Sequence, residues 1–251
     1  MQRSELAIIL PTRNERHNIR AFLASLPDDV SLIVVDSSDD ETPHIIRSTR
    51  PERTVVIERT CNVVVARQVG IEAAHAPWLL FTDADVTFAP DYFERLAQLD
   101  TDDPRLGAIY GPKLSRDHFQ GYYRWFTRGQ RLFATFGIPA ATGSNLIIRR
   151  SVLQAVGGFD LTLTCNEDSE IAWRIQRRGY RTRFVPDAIV YARDHRRLKR
   201  GVARKVAHSS LRCLLLYFNL LPARWRGQDW GYWSPGAQGQ PRAEPPQSPA
   251  R

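Results

Sequence analysis

Short apolar runs recur through the first third of the chain, and between them apolar positions fall every three or four residues. Leu6–Leu10 (LAIIL), Leu32–Val35 (LIVV), Thr54–Ile57 (TVVI) and Trp78–Phe81 (WLLF) are short, rich in β-branched or aromatic residues and almost free of polar ones. Such runs predict strands buried on both faces. Pro11 is expected to limit the first of them. Ile19, Phe22, Leu23 and Leu26 predict a helix over about Glu15–Leu26. A short helix is expected over Thr42–Ser48 and a longer one over about Asn62–Ala74. Strands alternating with helices predict an α/β fold with a mostly parallel sheet. Ligands of such sheets bind beyond the carboxyl ends of the strands.

The pattern is less regular after residue 100. Phe119–Phe136 is aromatic-rich and reads as a helix, Asn145–Ile148 as a strand, and Asp168–Arg178 as a helix with Ile171, Ala172 and Ile175 on one face and Gly179 as its stop. Arg183–Val185 and Ile189–Tyr191 read as short strands, and Arg196–Phe218 as one basic amphipathic helical stretch. Residues 227–251 are rich in Pro and Gly and poor in apolar residues, which predicts a disordered tail. The densest apolar stretch, Leu211–Leu221, is shorter than the roughly 20 residues a membrane-spanning helix needs.

Composition narrows the class. With 251 residues, 43% of them hydrophobic, the chain can build a sizeable core. Three dispersed cysteines, Cys61, Cys165 and Cys213, argue against a disulfide framework and for a reducing, cytoplasmic setting. The chain enters an apolar strand almost at once, so no secretory leader is expected. The net charge of +8 is uneven: residues 171–212 hold thirteen Lys/Arg against two Asp/Glu, on a mildly acidic body. A basic segment of this kind implies contact with an anionic surface, whether lipid, nucleotide phosphate or nucleic acid.

The strands end in polar and acidic residues. Pro11-Thr12-Arg13-Asn14-Glu15 follows the first, Asp36-Ser37-Ser38-Asp39-Asp40-Glu41-Thr42 the second, and Thr82-Asp83-Ala84-Asp85 the fourth. A carboxylate at a strand end can accept hydrogen bonds from a ribose or a base. Two carboxylates at i and i+2 on extended chain point the same way and suit a hard divalent cation. Asp is also common in turns, and any one of these alone reads as a turn. Gly143-Ser144-Asn145 reads as a turn or as the wall of an acceptor pocket, with Gly143 allowing close backbone approach. Asp168 alone reads as a helix N-cap. Tyr122, Tyr123, Trp125, Phe126, Phe133 and Phe136 divide between core and a surface for stacking sugars.

The order of these pieces, strand-PTRNE, strand-VVDSSDDET, ARQVG, FTDAD, GSN and NED before a helix, resembles the family 2 glycosyltransferases across residues 6–195. The resemblance implies a GT-A-type fold: a Rossmann-like nucleotide-binding half over about 1–100 and an acceptor-binding half over about 101–194. A basic helical segment (195–226) and the tail would follow. It implies that Asp36 contacts the nucleotide base and that Pro11, Thr12, Asn14 and Glu15 line the same pocket, with Arg67 nearby. Asp83-Ala84-Asp85 would be the D-x-D motif holding the ribose and a Mg²⁺ or Mn²⁺ on the sugar diphosphate. Asp168 would be the catalytic base, with Glu167 beside it on the acceptor side. His195 sits where some relatives place a further metal ligand; within Asp194-His195-Arg196-Arg197 it reads first as a surface residue. The implied activity is inverting transfer of a sugar from a nucleoside-diphosphate sugar to a hydroxyl or lipid-linked acceptor, in cell-envelope, polysaccharide or glycolipid synthesis.

Two features depart from the family pattern. Ser37 stands where many members have a second acid, and Gln120 with Arg124-Trp125 has neither the spacing nor the position of the Q-x-x-R-W motif of processive synthases. A sugar nucleotidyltransferase would show a Gly-rich loop after the first strand, and this loop has no glycine. A nucleic-acid-binding module would leave the strand-end acids repelling phosphate. The basic residues between Arg193 and Arg212, with Leu198, Val202, Val206, Leu211, Leu214–Phe218 and Trp225, Trp230 and Trp233, match a helix lying in an anionic membrane surface. The alternative is a helix packed on the domain with its charges in water.

Overall fold

The computed structural model describes residues 1–228. After a 3-10 turn the order is β1 (Leu6–Thr12), α1 (Ile19–Leu23), β2 (Ser31–Asp36), α2 (Thr42–Thr49), β3 (Thr54–Glu58), α3 (Val63–Ala73) and β4 (Trp78–Phe81). Next come β5 (Val86–Phe88), α4 (Tyr92–Ala97), β6 (Leu106–Tyr110), β7 (Lys113–Ser115), α5 (Gln120–Thr135), β8 (Leu146–Arg149), α6 (Arg150–Ala155) and α7 (Glu167–Arg177). The described chain closes with β9 (Arg181–Phe184), β10 (Val190–Ala192), α8 (Arg196–Lys199), α9 (Val202–Tyr217) and α10 (Ala223–Arg226). The expected tail lies, from residue 229 on, outside the described residues.

Seven strands form one sheet in the order β3-β2-β1-β4-β8-β6-β9. All pairs are parallel except those of β8, which runs antiparallel to both β4 and β6. The apolar strands are continuous because both faces are covered. Leu6, Ile8, Leu10, Leu32 and Val34 enter one core; Ala7, Ile9 and Ile33 enter the other. This is the period-2 alternation of a strand with two dry faces. Three-residue β5, β10 and β7 make a second, small sheet.

Several boundaries differ from the sequence reading. β1 runs through Pro11 to Thr12, since proline's missing N–H costs nothing where the ladder is ending. α1 starts at Ile19, later than Glu15, because Asn14 takes a left-handed φ of 57° and the next residues form turns. α3 follows the pattern, and Asn62 caps it by accepting from Val65 N at 2.9 Å. The basic stretch after residue 195 is two helices. Gly201, at φ 121°, separates α8 from α9, a conformation a side chain would resist. Arg212, expected on a basic surface, is fully buried: its guanidinium donates to the carbonyls of Trp225, Arg226 and Gln228. No helix among the described residues is long and apolar enough to cross a membrane.

The chain leaves β1 for β2 and β3 on one side and returns to β4 on the other. That reversal opens a crevice at the carboxyl ends of β1 and β4, the place where open α/β sheets bind ligands.

Candidate functional site

The crevice gathers the strand ends. Thr12 closes β1 and Asp36 closes β2, and the two face each other in register. Asp36 is buried and accepts from Thr12 Oγ1, from Ser38 N at 3.1 Å and from Ser38 Oγ at 2.8 Å. Those bonds use three of the roughly four acceptor positions of a carboxylate. Asn14 N donates to Ser38 Oγ at 2.8 Å, and Asp39 N donates to Asn14 Oδ1 at 3.0 Å, so the loops after β1 and β2 form one wall. Ser37 turns away: its hydroxyl donates to Arg59 O and receives Cys61 N, tying β2 to the loop after β3. Glu15 receives Asn18 Nδ2 and pairs with Arg196 across 181 residues, which brings the start of α8 to this wall.

Arg67, on α3, is the hub of the other wall. Its guanidinium is buried, pairs with Glu167, and donates to Asp83 Oδ1 at 3.2 Å and to Gly143 O at 3.1 Å. A Cβ on Gly143 would stand 2.4 Å from Arg67 Nη2, so the close approach permitted by that glycine is to arginine. Burial alone would lower the Arg67 pKa, but Glu167, Asp83 and Asp168 overrule it and keep the cation charged. Burial pushes the Glu167 carboxyl up, against Arg67 and with Asp168 adding to the push. Burial acts on Asp83 in the same sense, yet Arg67, Lys113 and the Ser144 hydroxyl together hold it below the ordinary carboxylate range.

Asp83 and Asp85 flank buried Ala84 just past β4. Ser144 Oγ donates to Asp83, Thr82 Oγ1 donates to Ser144 O at 3.0 Å, and Lys113 Nζ lies 3.1 Å from Ser144 Oγ and 3.5 Å from Asp85 Oδ1. Asp168 is the second residue of α7. One of its oxygens takes Gly143 N at 2.6 Å and the other Ser169 N at 2.7 Å, and part of its surface stays open. Gly143 thus joins Asp168 to Arg67, and Arg67 joins both to Asp83.

Asp83 and Asp85 fit a hard divalent cation in donor type and spacing. Both Asp83 oxygens are already engaged, by Arg67 and Ser144, whereas the Lys113 contact to Asp85 is long. Asp85 therefore has the greater donor capacity. Among the described residues no three His, Cys, Asp or Glu side chains converge. Mg²⁺ commonly takes one or two carboxylates and completes its shell with water and substrate phosphates.

Two expected residues stand elsewhere. His195, read as a surface residue or a metal ligand, is buried: Nδ1 meets Tyr123 OH at 3.1 Å and Nε2 meets Asp117 Oδ1 at 2.9 Å. Both ring nitrogens are occupied, which leaves no lone pair aimed at the crevice. Asn145 is also buried. It accepts from Tyr92 OH at 2.7 Å and donates to Pro112 O and Ala188 O, so its amide braces the two sheets. Lys113 is not singled out by the sequence, and Arg196 reads there only as one of the basic residues of the C-terminal segment, not as part of this wall. Lys113 follows Gly111-Pro112 after the apolar run LGAIY, a strand-and-turn signal that would have put it at a strand end.

The family model described as Glycosyl transferase family 2 matches residues 7–157. A pre-mycofactocin glycosyltransferase of Mycobacterium tuberculosis is 25% identical over 214 residues, covering 80% of this chain and 45% of that protein. The succinoglycan biosynthesis protein ExoA of Rhizobium meliloti is 27% identical over 197 residues, 69% of this chain and 58% of its own. The chain thus spans about half the length of the curated relatives it matches. Among solved structures, the mannosyltransferase PcManGT of Pyrobaculum calidifontis, in complex with GDP-Man and Mn²⁺, superposes with a TM-score of 0.66 at 23% identity, covering 90% of this chain and 72% of that one. TarS 1-349 of S. aureus in complex with UDP superposes with a TM-score of 0.60 at 17% identity, over 90% and 72%.

Proposed function

From the premise that this chain belongs to glycosyl transferase family 2 and has the GT-A fold, we propose that it moves a sugar from a nucleoside-diphosphate sugar to a hydroxyl or lipid-phosphate acceptor, with inversion. The setting we propose is polysaccharide, glycolipid or cell-envelope synthesis, with residues 1–194 as the catalytic domain. The observation that carries the reading is the chain of contacts Asp83–Arg67–Gly143–Asp168, which links the D-x-D carboxylates to the acid at the start of α7 in one crevice.

The wall of Thr12, Asn14, Glu15 and Asp36 receives the nucleoside. Asp36 keeps one acceptor position for a base or ribose donor and is held in place by the bonds it already makes. Arg67 orients Asp83 and Glu167 from beneath the floor. A Mg²⁺ or Mn²⁺ held by Asp85 and Asp83 would offset the negative charge that grows on the departing diphosphate. Asp168 takes the proton of an attacking hydroxyl. Its bonds to two backbone N–H groups fix its direction.

A panel of nucleotide sugars in a thermal shift assay, with and without Mn²⁺, tests the donor half; the true donor should raise the melting temperature in a metal-dependent way. Asp168→Asn tests the other half. With a hydroxyl acceptor, turnover should fall by roughly 10²–10⁴-fold while donor affinity holds. A small effect is expected for a phosphate acceptor, which is already ionised. Full turnover with a proven hydroxyl acceptor sinks the base role, and full turnover in excess chelator sinks the metal assignment.

A further inference from the structure

Two helices of the acceptor side turn apolar side chains to solvent. On α5 and its C-cap the most exposed are Trp125, Leu132 and Phe136; on α9 and its C-cap they are Leu211, Leu214 and Phe218. All six are between 53% and 73% exposed. Their spacing, i, i+7, i+11 on one helix and i, i+3, i+7 on the other, draws one stripe along each.

The two stripes belong to one side of the molecule. Near the helix starts, Lys205 of α9 donates to Tyr122 of α5 and lies 5.4 Å from the Phe126 ring. Near their ends, adjacent residues of α7 hold both helices: Gln176 bonds Gly137 O and Arg177 bonds Tyr217 O. The helices therefore run side by side in the same direction, flanking α7, whose other end carries Asp168.

The charge on the two helices and their flanking segments has one sign. No Asp or Glu occurs from residue 118 to 159, nor from 195 to 228. Arg124, Arg128 and Arg131 are exposed beside the α5 stripe, and Arg193, Lys199 and Arg204 are exposed ahead of and at the start of α9. Exposed apolar stripes rimmed by cations and empty of acids match the surface of an anionic bilayer, which takes the apolar groups below its headgroups and the cations among them. A second copy pressed against this face would bring cation to cation. Nucleic acid could stack on Trp125 but offers nothing to Leu132, Leu211 and Leu214.

We propose that the α5–α9 face docks on an anionic lipid bilayer and lies in its interface without crossing it. Arg212, buried in its own knot, takes no part. Docking is a binding property and stands or falls apart from sugar transfer.

Flotation of the full chain with vesicles of equal parts phosphatidylcholine and phosphatidylglycerol tests this. The protein should float with those vesicles, stay down with phosphatidylcholine alone, and release as salt rises. Leu132→Ser/Phe136→Ser and Leu214→Ser/Phe218→Ser should each lower the partition coefficient at least about tenfold with unchanged melting temperature. Arg124→Gln/Arg128→Gln/Arg131→Gln keeps every apolar group and should weaken binding and flatten its salt dependence, a reading that survives if a serine variant misfolds. The proposal is overturned if the parent does not float with anionic vesicles, or if neither the apolar nor the arginine variants change flotation. A parent dimer that the serine variants split, with no flotation, would assign the face to a second copy.

Discussion

At the scale of single residues the site turns on one buried guanidinium. Arg67 answers two carboxylates, Glu167 and Asp83, and a carbonyl, all from different parts of the chain. Removing one partner of a buried pair leaves a charge unanswered, which costs more than the pair contributes. Gly143→Ala attacks the same hub by volume: the new Cβ would sit 2.4 Å from Nη2, and backbone and guanidinium must part. Overpacking of this kind costs about 1–3 kcal/mol, read as a lower melting temperature, and nucleotide affinity should fall with it. The thiols beside Asp168 should be quiet. Burial pushes Cys165 and Cys213 up to about 11, so alkylation at neutral pH should label both far more slowly in the folded protein than after denaturation. Rapid labelling of the native protein would contradict that burial.

At the scale of elements, the burial of Lys205 on α9 has a pH signature in stability. Burial, then the positive charges of Arg197 and Lys113, bring it down to about 8 from an ordinary 10.5. The folded state thus binds the proton more weakly than the unfolded chain. The penalty is absent above about 10.5, grows as the pH falls, and is complete below about 8. Lys205→Met should therefore stabilise the protein by up to about 3 kcal/mol near neutral pH and converge with the parent at high pH, as denaturant titrations across that window would show. The elements also mark what the hydrophobic pattern could and could not say. β1, β2, β4 and α3 were legible because the middle of each of those strands is buried on both faces; β3, at the sheet edge with no buried residue, was legible from its β-branched run alone. β10 was legible one residue early, as Ile189–Tyr191, but β5 and β7 were not: three residues hold too little alternation to count, and pairing with β10 makes them strands. α4 and β6 carry readable signals within the less regular part of the pattern, Tyr92, Phe93 and Leu96 in one and LGAIY in the other. The break at Gly201 was invisible to periodicity, which resumes on the far side, though a glycine among basic residues was the available sign.

At the scale of the whole molecule, the site was legible where its residues are neighbours in sequence. Asp83 and Asp85 share one strand end, and Asp168 stands at a helix start. It was illegible where partners meet only through the fold. Lys113 reaches Asp85 across 28 residues, Arg67 reaches Glu167 across 100, and Glu15 meets Arg196 across 181. His195 shows the limit from the other side: a histidine among charges reads as exposed, and packing against Tyr123 and Phe119 buried it. The Arg212 knot closes the described chain on the same principle, a side chain in mid-helix gripping carbonyls thirteen to sixteen residues further on. Its consequence concerns proteases. Trypsin needs its arginine in accessible, extended chain, and Arg212 offers neither, while Arg224 on the short α10 stands exposed. Under brief digestion the bond after Arg224 should be cut early and the bond after Arg212 spared. Scission at 212 would then time the opening of the knot itself, a peptide-mapping clock for the release of α9 from the domain.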